Sequence, residues 1–298
     1  MQSDNAGNLS NPNQVALLRW YPANRVASFA TGNAPAGLAF DGSNIWIANA
    51  YSNTVTELRA NNGSVAGTYS VGAWPCGVAF DGANVWVTNE TSDNVFELRA
   101  SDGAVLGKYS TGITPTGIAF DGAAIWVANS GSSTVTKLAA DSGKTLATIG
   151  VPFGPRGMAF DGANIWVASF GSNFVTKIRA RDASVLGTYE VGTYPIAAAF
   201  DGTNIWVANK GDGTVTKLVA ADGSMAGTYT VGSAPYGLAF DGAHIWVANW
   251  GSNNVTKLNA VNGRVLGTFA AGSQPYSVAF DGSNIWVTNF ASNTVSKM

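Results

Sequence analysis

The tripeptide Phe-Asp-Gly begins at Phe40, Phe80, Phe120, Phe160, Phe200, Phe240 and Phe280, one copy every 40 residues without insertion or deletion. A tryptophan follows each copy at the same distance: Trp46, Trp86, Trp126, Trp166, Trp206, Trp246 and Trp286. Self-similarity at a period of about 20–50 residues means stacked units, none of which can bury its apolar face alone. Any fold for this chain must therefore repeat one supersecondary unit.

The unit reads as four strands. Pro75–Phe80 is a strand entered through proline, and Asp81-Gly-Ala-Asn84 supplies hairpin turn chemistry. Val85–Asn89 is a largely apolar second strand, Glu90–Asp93 a loop, and Asn94–Leu98 a more polar third strand. A second turn, Ala100–Gly103, leads into an outer strand over Ala104–Thr111. Four antiparallel strands in about 40 residues make one propeller blade. The expected fold is an all-β, seven-bladed β-propeller with four antiparallel strands per blade. Its innermost strand alternates small Gly37 and Ala39 with large Leu38 and Phe40, which suits sheets crowding around a central axis.

The ends of the chain predict how the ring closes. Val15–Gly32 aligns with the second half of a repeat, while the chain stops at Met298 after a third strand. A strand around Arg25–Ala30 would then supply the missing outer strand of the last blade and hide its edge. Both Val15–Arg19 and Thr294–Lys297 read as third strands, and the sequence leaves open which one joins the closing blade. Residues 1–12 read as a polar, disordered leader and 13–298 as a single propeller domain.

Composition excludes several functions. Charged residues are 11 % of the chain, against about 25 % in ordinary soluble domains. The net charge of −2 disfavours a nucleic-acid partner, which needs many cations to neutralise phosphates. No apolar run approaches the ~20 residues of a membrane-spanning helix. The single cysteine, Cys76, rules out an intrachain disulfide framework and a cysteine-based zinc cluster. The polar N-terminus lacks the features of a signal peptide, so the protein is either cytoplasmic or has lost a signal segment.

The segment Ile125-Trp-Val-Ala-Asn-Ser-Gly-Ser-Ser-Thr-Val-Thr-Lys-Leu138 resembles the signature of the YVTN family of β-propellers, in the virginiamycin B lyase-like superfamily. Trp86-Val-Thr-Asn89 and Trp286-Val-Thr-Asn289 are closer still to the name motif. The resemblance spans roughly residues 13–298 and implies an extracytoplasmic, surface or periplasmic location. It implies two competing activities. One relative binds single-stranded DNA, and another is a lyase using histidine and magnesium on its top face, chemistry that carries over to no residue here.

Seven internal copies can also be compared with one another. The turns after the first strand are nearly uniform, whereas the opposite strand ends vary. The connections between blades carry Trp74, Tyr194 and other dissimilar residues. The position after the proline holds Ala36, Cys76, Thr116, Arg156, Ile196, Tyr236 and Tyr276, and the position after the second strand holds Ala50, Glu90, Ser130, Phe170, Lys210, Trp250 and Phe290. Strand order puts all three sets on one face of the disc. The expected ligand-binding residues are Trp74, Arg156, Phe170, Tyr194, Tyr236, Trp250, Tyr276 and Phe290, because aromatics and arginine dominate binding hot spots.

Other features have structural readings. The repeated tryptophans pack between blades, and one Asp-Gly per turn is too few oxygens for calcium. His244, the only histidine, stands in a first-hairpin turn on the opposite face. Glu90, Arg156 and Lys210 either orient a polar ligand or form a solvated rim. The expectation is a monomeric, non-enzymatic propeller with no catalytic residues, cofactor or metal, gripping a carbohydrate, peptide or protein ligand or a small amphipathic one. The alternatives are a structural propeller whose aromatics plug the channel, a lyase-type enzyme, and a single-stranded DNA binder.

Overall fold

In the computed structural model, residues 26–298 are described and form seven four-stranded antiparallel sheets arranged as a ring. Blades 1 to 6 are consecutive in sequence, with inner strands beginning at Pro35, Pro75, Pro115, Pro155, Pro195 and Pro235. Blade 7 joins Pro275–Phe280, Ile285–Asn289 and Thr294–Lys297 to Ala27–Ala30 from the other end of the chain. Phe29 lies opposite Val295 in that closing pair, so Thr294–Lys297 takes the third-strand place. The rival segment Val15–Arg19 and the leader lie outside the described residues. Among the described residues no helix is long and apolar enough to cross a membrane.

The core is divided into seven clusters, each lying between two neighbouring sheets. Trp166, Ala168 and Val175 of blade 4 pack on Ile205, Val207 and Leu218 of blade 5. At the closure Trp286 and Val295 pack on Ile45, Ile47 and Leu58 of blade 1. Six of the seven repeat tryptophans are fully buried, and full burial of a large apolar side chain contributes about 1.5–3 kcal/mol.

Each tryptophan is tied to the Asp of its own hairpin turn. The Trp206 indole N–H donates to Asp201 Oδ2 at 2.7 Å, while Asp201 Oδ1 accepts from the N–H groups of Thr203 and Asn204 at 2.9 and 2.6 Å. The same arrangement recurs in all seven blades. One carboxylate thus closes the turn and satisfies the one polar atom of the buried indole. His244, which takes the place of the turn Asn in blade 6, is half-buried with Nδ1 3.0 Å from Asp241 Oδ2.

A second tie runs between blades. Lys177 lies over the Trp166 ring at 5.0 Å and donates to the Ala220 carbonyl of the next blade at 2.7 Å. Lys137, Lys217 and Lys297 repeat it. Blades 1 and 2 carry Glu57 and Glu97 at this position, accepting from the hydroxyls of Tyr69 and Tyr109 at 2.8 Å. Burial pushes both carboxyls above their ordinary value of 4.5, although the tyrosine hydrogen bonds oppose it.

The sign follows directly. The folded state holds these protons to higher pH than the unfolded chain, so the contribution to stability falls as pH rises above 4.5 through the raised values. Glu57→Gln combined with Glu97→Gln should flatten the decline in Tm between pH 4.5 and neutrality; an unchanged slope would place its origin elsewhere.

Candidate functional site

The varied face is built on an invariant backbone. Each inner strand begins with proline followed by a bulge; Pro235 pairs with Asn249 and Gly237 with Ala248, leaving Tyr236 unpaired between them. Side chains at this post-proline position reach the central channel. There a cavity of about 190 Å³ is lined by all seven inner strands, with Cys76, Thr116, Arg156, Ile196, Tyr236 and Tyr276 among its walls. The strands crowd here: a side chain at Gly117 would run into the Arg156 carbonyl oxygen.

The connections between blades are equally regular. Trp74 and Tyr194 hold left-handed φ values of 56° and 54°, a region non-glycine residues rarely occupy. Hydrogen bonds hold them there. The Trp74 N–H donates to Asn53 Oδ1 at 3.0 Å, and its carbonyl accepts from the Glu90 N–H at 2.9 Å. Tyr194 repeats the pattern with Asn173 Oδ1 at 3.1 Å and the Lys210 N–H at 3.0 Å. The loops therefore share one conformation while their side chains differ, which makes a preformed surface.

On that surface the aromatic rings touch in sequence. Trp74 meets Tyr51 edge-on at 4.9 Å, Tyr51 meets Phe290 at 5.5 Å, and Phe290 meets Trp250 at 5.2 Å. Trp250 contacts Tyr276 and Tyr236 at 5.8 and 5.4 Å, and those two lie 4.3 Å apart in the channel wall. Lys210 lies over both Tyr236 and Phe170, and Phe170 stacks on Tyr194 at 4.9 Å. Arg156 covers Phe170 at 5.3 Å.

All eight residues expected from the sequence thus lie on one face and are linked through shared neighbours. Tyr51, which joins Trp74 to Phe290, was missed because it stands one place beyond the compared position. The signal was present, since the sister residues are Thr91, Gly131, Gly171, Gly211, Gly251 and Ala291.

Electrostatics separate the inner part of the site from the arc. Cys76 is buried, with Sγ 3.4 Å from the Tyr276 hydroxyl, and burial, then Glu90, pushes its thiol up to about 11. Burial also raises Glu90, with Arg156 pulling the other way. Burial followed by Arg156 lowers Lys210. The solvated-rim alternative does not describe Arg156, which is half-buried, lines the channel and has its Nε shut off from solvent. Among the described residues no three His, Cys, Asp or Glu side chains come together, and His244 lies at the opposite end, so the residues present do not fit a histidine–magnesium centre.

No protein-family model matches the chain and no curated protein matches it. Solved structures do share its fold. Hydrazine synthase from Kuenenia stuttgartiensis superposes with a TM-score of 0.79 over 89 % of this chain and 95 % of that one, at 22 % identity. A streptogramin B lyase gives 0.79 over 92 % and 96 %, at 16 % identity. Virginiamycin B lyase from Staphylococcus aureus gives 0.78 over 92 % and 98 %, also at 16 % identity. The chain has a seven-bladed β-propeller fold.

These neighbours correct the expectation that the chain is not an enzyme, because the same ring carries enzymes and gives no ground for excluding catalysis. The ring also gathers Cys76, Glu90, Arg156, Tyr236 and Tyr276, which are far apart along the chain, at one mouth.

Proposed function

We propose that the channel mouth and its aromatic arc form a binding site for a small amphipathic ligand. The observation that carries this reading is the unbroken succession of ring contacts from Trp74 to Tyr236 on a face whose backbone is held by repeated hydrogen bonds. Aromatic side chains bury large areas at low entropic cost, and a preformed surface lowers the ordering cost further. Trp250 belongs to none of the interblade clusters, so packing the blades does not require it. An extracytoplasmic location belongs to the same reading and is supported by the YVTN-like repeat.

Intrinsic fluorescence during titration with glycans, peptides and small aromatic compounds tests the proposal. A saturable change is expected, together with an upward Tm shift that grows with ligand concentration. Trp250→Ala should weaken binding by roughly ten- to a hundredfold while leaving the unfolding transition in place. Silence across the panel, with Tm unmoved, would leave a structural propeller whose aromatics plug the channel.

A further inference from the structure

Arg156 is the one arginine or lysine among the seven post-proline positions, where its sisters are Ala36, Cys76, Thr116, Ile196, Tyr236 and Tyr276. Six blades build the same bulge without a cation there, so blade construction does not require the charge. Its Nε is buried and has no hydrogen-bond partner, and among the described residues its guanidinium forms no hydrogen bond or ion pair. Leaving a charged donor buried and unmet is costly. Glu90, the carboxylate whose charge acts on it, makes no ion pair with it.

Resting on the amphipathic-ligand reading above, we infer that Arg156 is the anchor for the ligand's acidic group, so that the ligand is a monocarboxylate whose apolar body lies against Tyr236 and Tyr276, which Trp250 backs from the arc. The local charges set the valence. Arg156 and Lys210, which both lie over Phe170, bring two positive charges to this mouth and Glu90 brings one negative, leaving room for a single negative charge rather than two. The cavity sets the size. An apolar cavity of roughly 150 Å³ accepts a benzene ring, and this one measures about 190 Å³ before it opens onto the arc. A single ring bearing a carboxylate fits that space, with the guanidinium offering its planar donors to the two oxygens.

The test is calorimetric titration with three acid–amide pairs: benzoate and benzamide, phenylacetate and phenylacetamide, indole-3-acetate and indole-3-acetamide. Each pair matches shape and differs in charge. The wild-type protein should prefer the acid by roughly tenfold or more in at least one pair. Arg156→Met should abolish that preference while leaving amide affinity nearly unchanged, with its thermal transition confirming that it folds. Trp250→Ala should weaken acid and amide together and keep the preference. Equal affinity for acid and amide, or a preference that survives Arg156→Met, would remove the anchor and leave the amphipathic-ligand reading standing. No binding of any pair to the wild-type protein would overturn the monocarboxylate inference, whereas the amphipathic-ligand reading falls only with silence across the wider panel of glycans, peptides and aromatic compounds.

Discussion

Asp201→Ala is expected to destabilise the protein by about 2–4 kcal/mol and to lower Tm by roughly 5–10 °C. The substitution removes one carboxylate and leaves four donors unmet: the backbone N–H groups of Thr203 and Asn204, the side-chain amide of Asn204, and the indole N–H of Trp206. Trp206 is fully buried, so its N–H has no water to turn to, and an unsatisfied buried donor costs about 1–3 kcal/mol. Asp201→Asn should recover part of the loss, since its carbonyl oxygen can still accept from the turn while its amide cannot accept from the indole. Urea unfolding of the two variants would check the order; equal losses would show that the turn bonds carry little and the indole bond most of the effect.

The same unit governs behaviour in acid. Burial opposes ionisation of Asp161, Asp201, Asp241 and Asp281, but the hydrogen bonds from each tryptophan and turn outweigh it and hold these carboxyls below 3.8. Their contribution to stability is complete above 3.8 and is lost as pH falls through the lowered folded values. Asp201→Asn should therefore lose less stability than the wild type on acidification below that point.

Arg156→Met is expected to act in the opposite direction, raising stability by about 1–3 kcal/mol and Tm by several degrees. Burial is the largest influence on Arg156 and works against its charge, whereas Tyr236, Tyr276, Cys76 and Glu90 hold the charge on and raise its pKa overall. The phenols and the thiol help only when ionised. Their own pKa values are raised by burial, so at neutral pH Glu90 is the one of the four that can carry a charge. Methionine fills similar space, needs no hydrogen bond and adapts to irregular walls. A stabilising substitution at a binding position is the usual trade between stability and function. A fall in Tm would mean that the guanidinium is satisfied and structural.

The ring was legible in the sequence because a 40-residue period with one turn chemistry repeats seven times, each copy holding the four strands of a blade. The closing strand was legible from the truncated last copy. The top face was too, because the copies diverge most there. Spacing along the chain, however, says nothing about separation across a disc. Arg156 and Tyr276 are 120 residues apart in sequence yet face the same cavity, and Tyr51 bridges Trp74 and Phe290 from three different repeats. The role of the turn aspartates was likewise hidden, since an Asp-Gly turn needs no tryptophan and only the folded hairpin brings the indole N–H to the carboxylate.

The sequence by itself determined the architecture, the number of blades and the face on which the copies diverge, because local turn chemistry and strand patterning are repeated with each unit. Only the tertiary structure decided that the divergent residues form one connected surface, and that, among the described residues, a cation within it has no ion-pair partner. Closing the ring brings the inner strands together around a single axis, and contacts across that axis depend on where each blade sits in the circle, which no local pattern encodes.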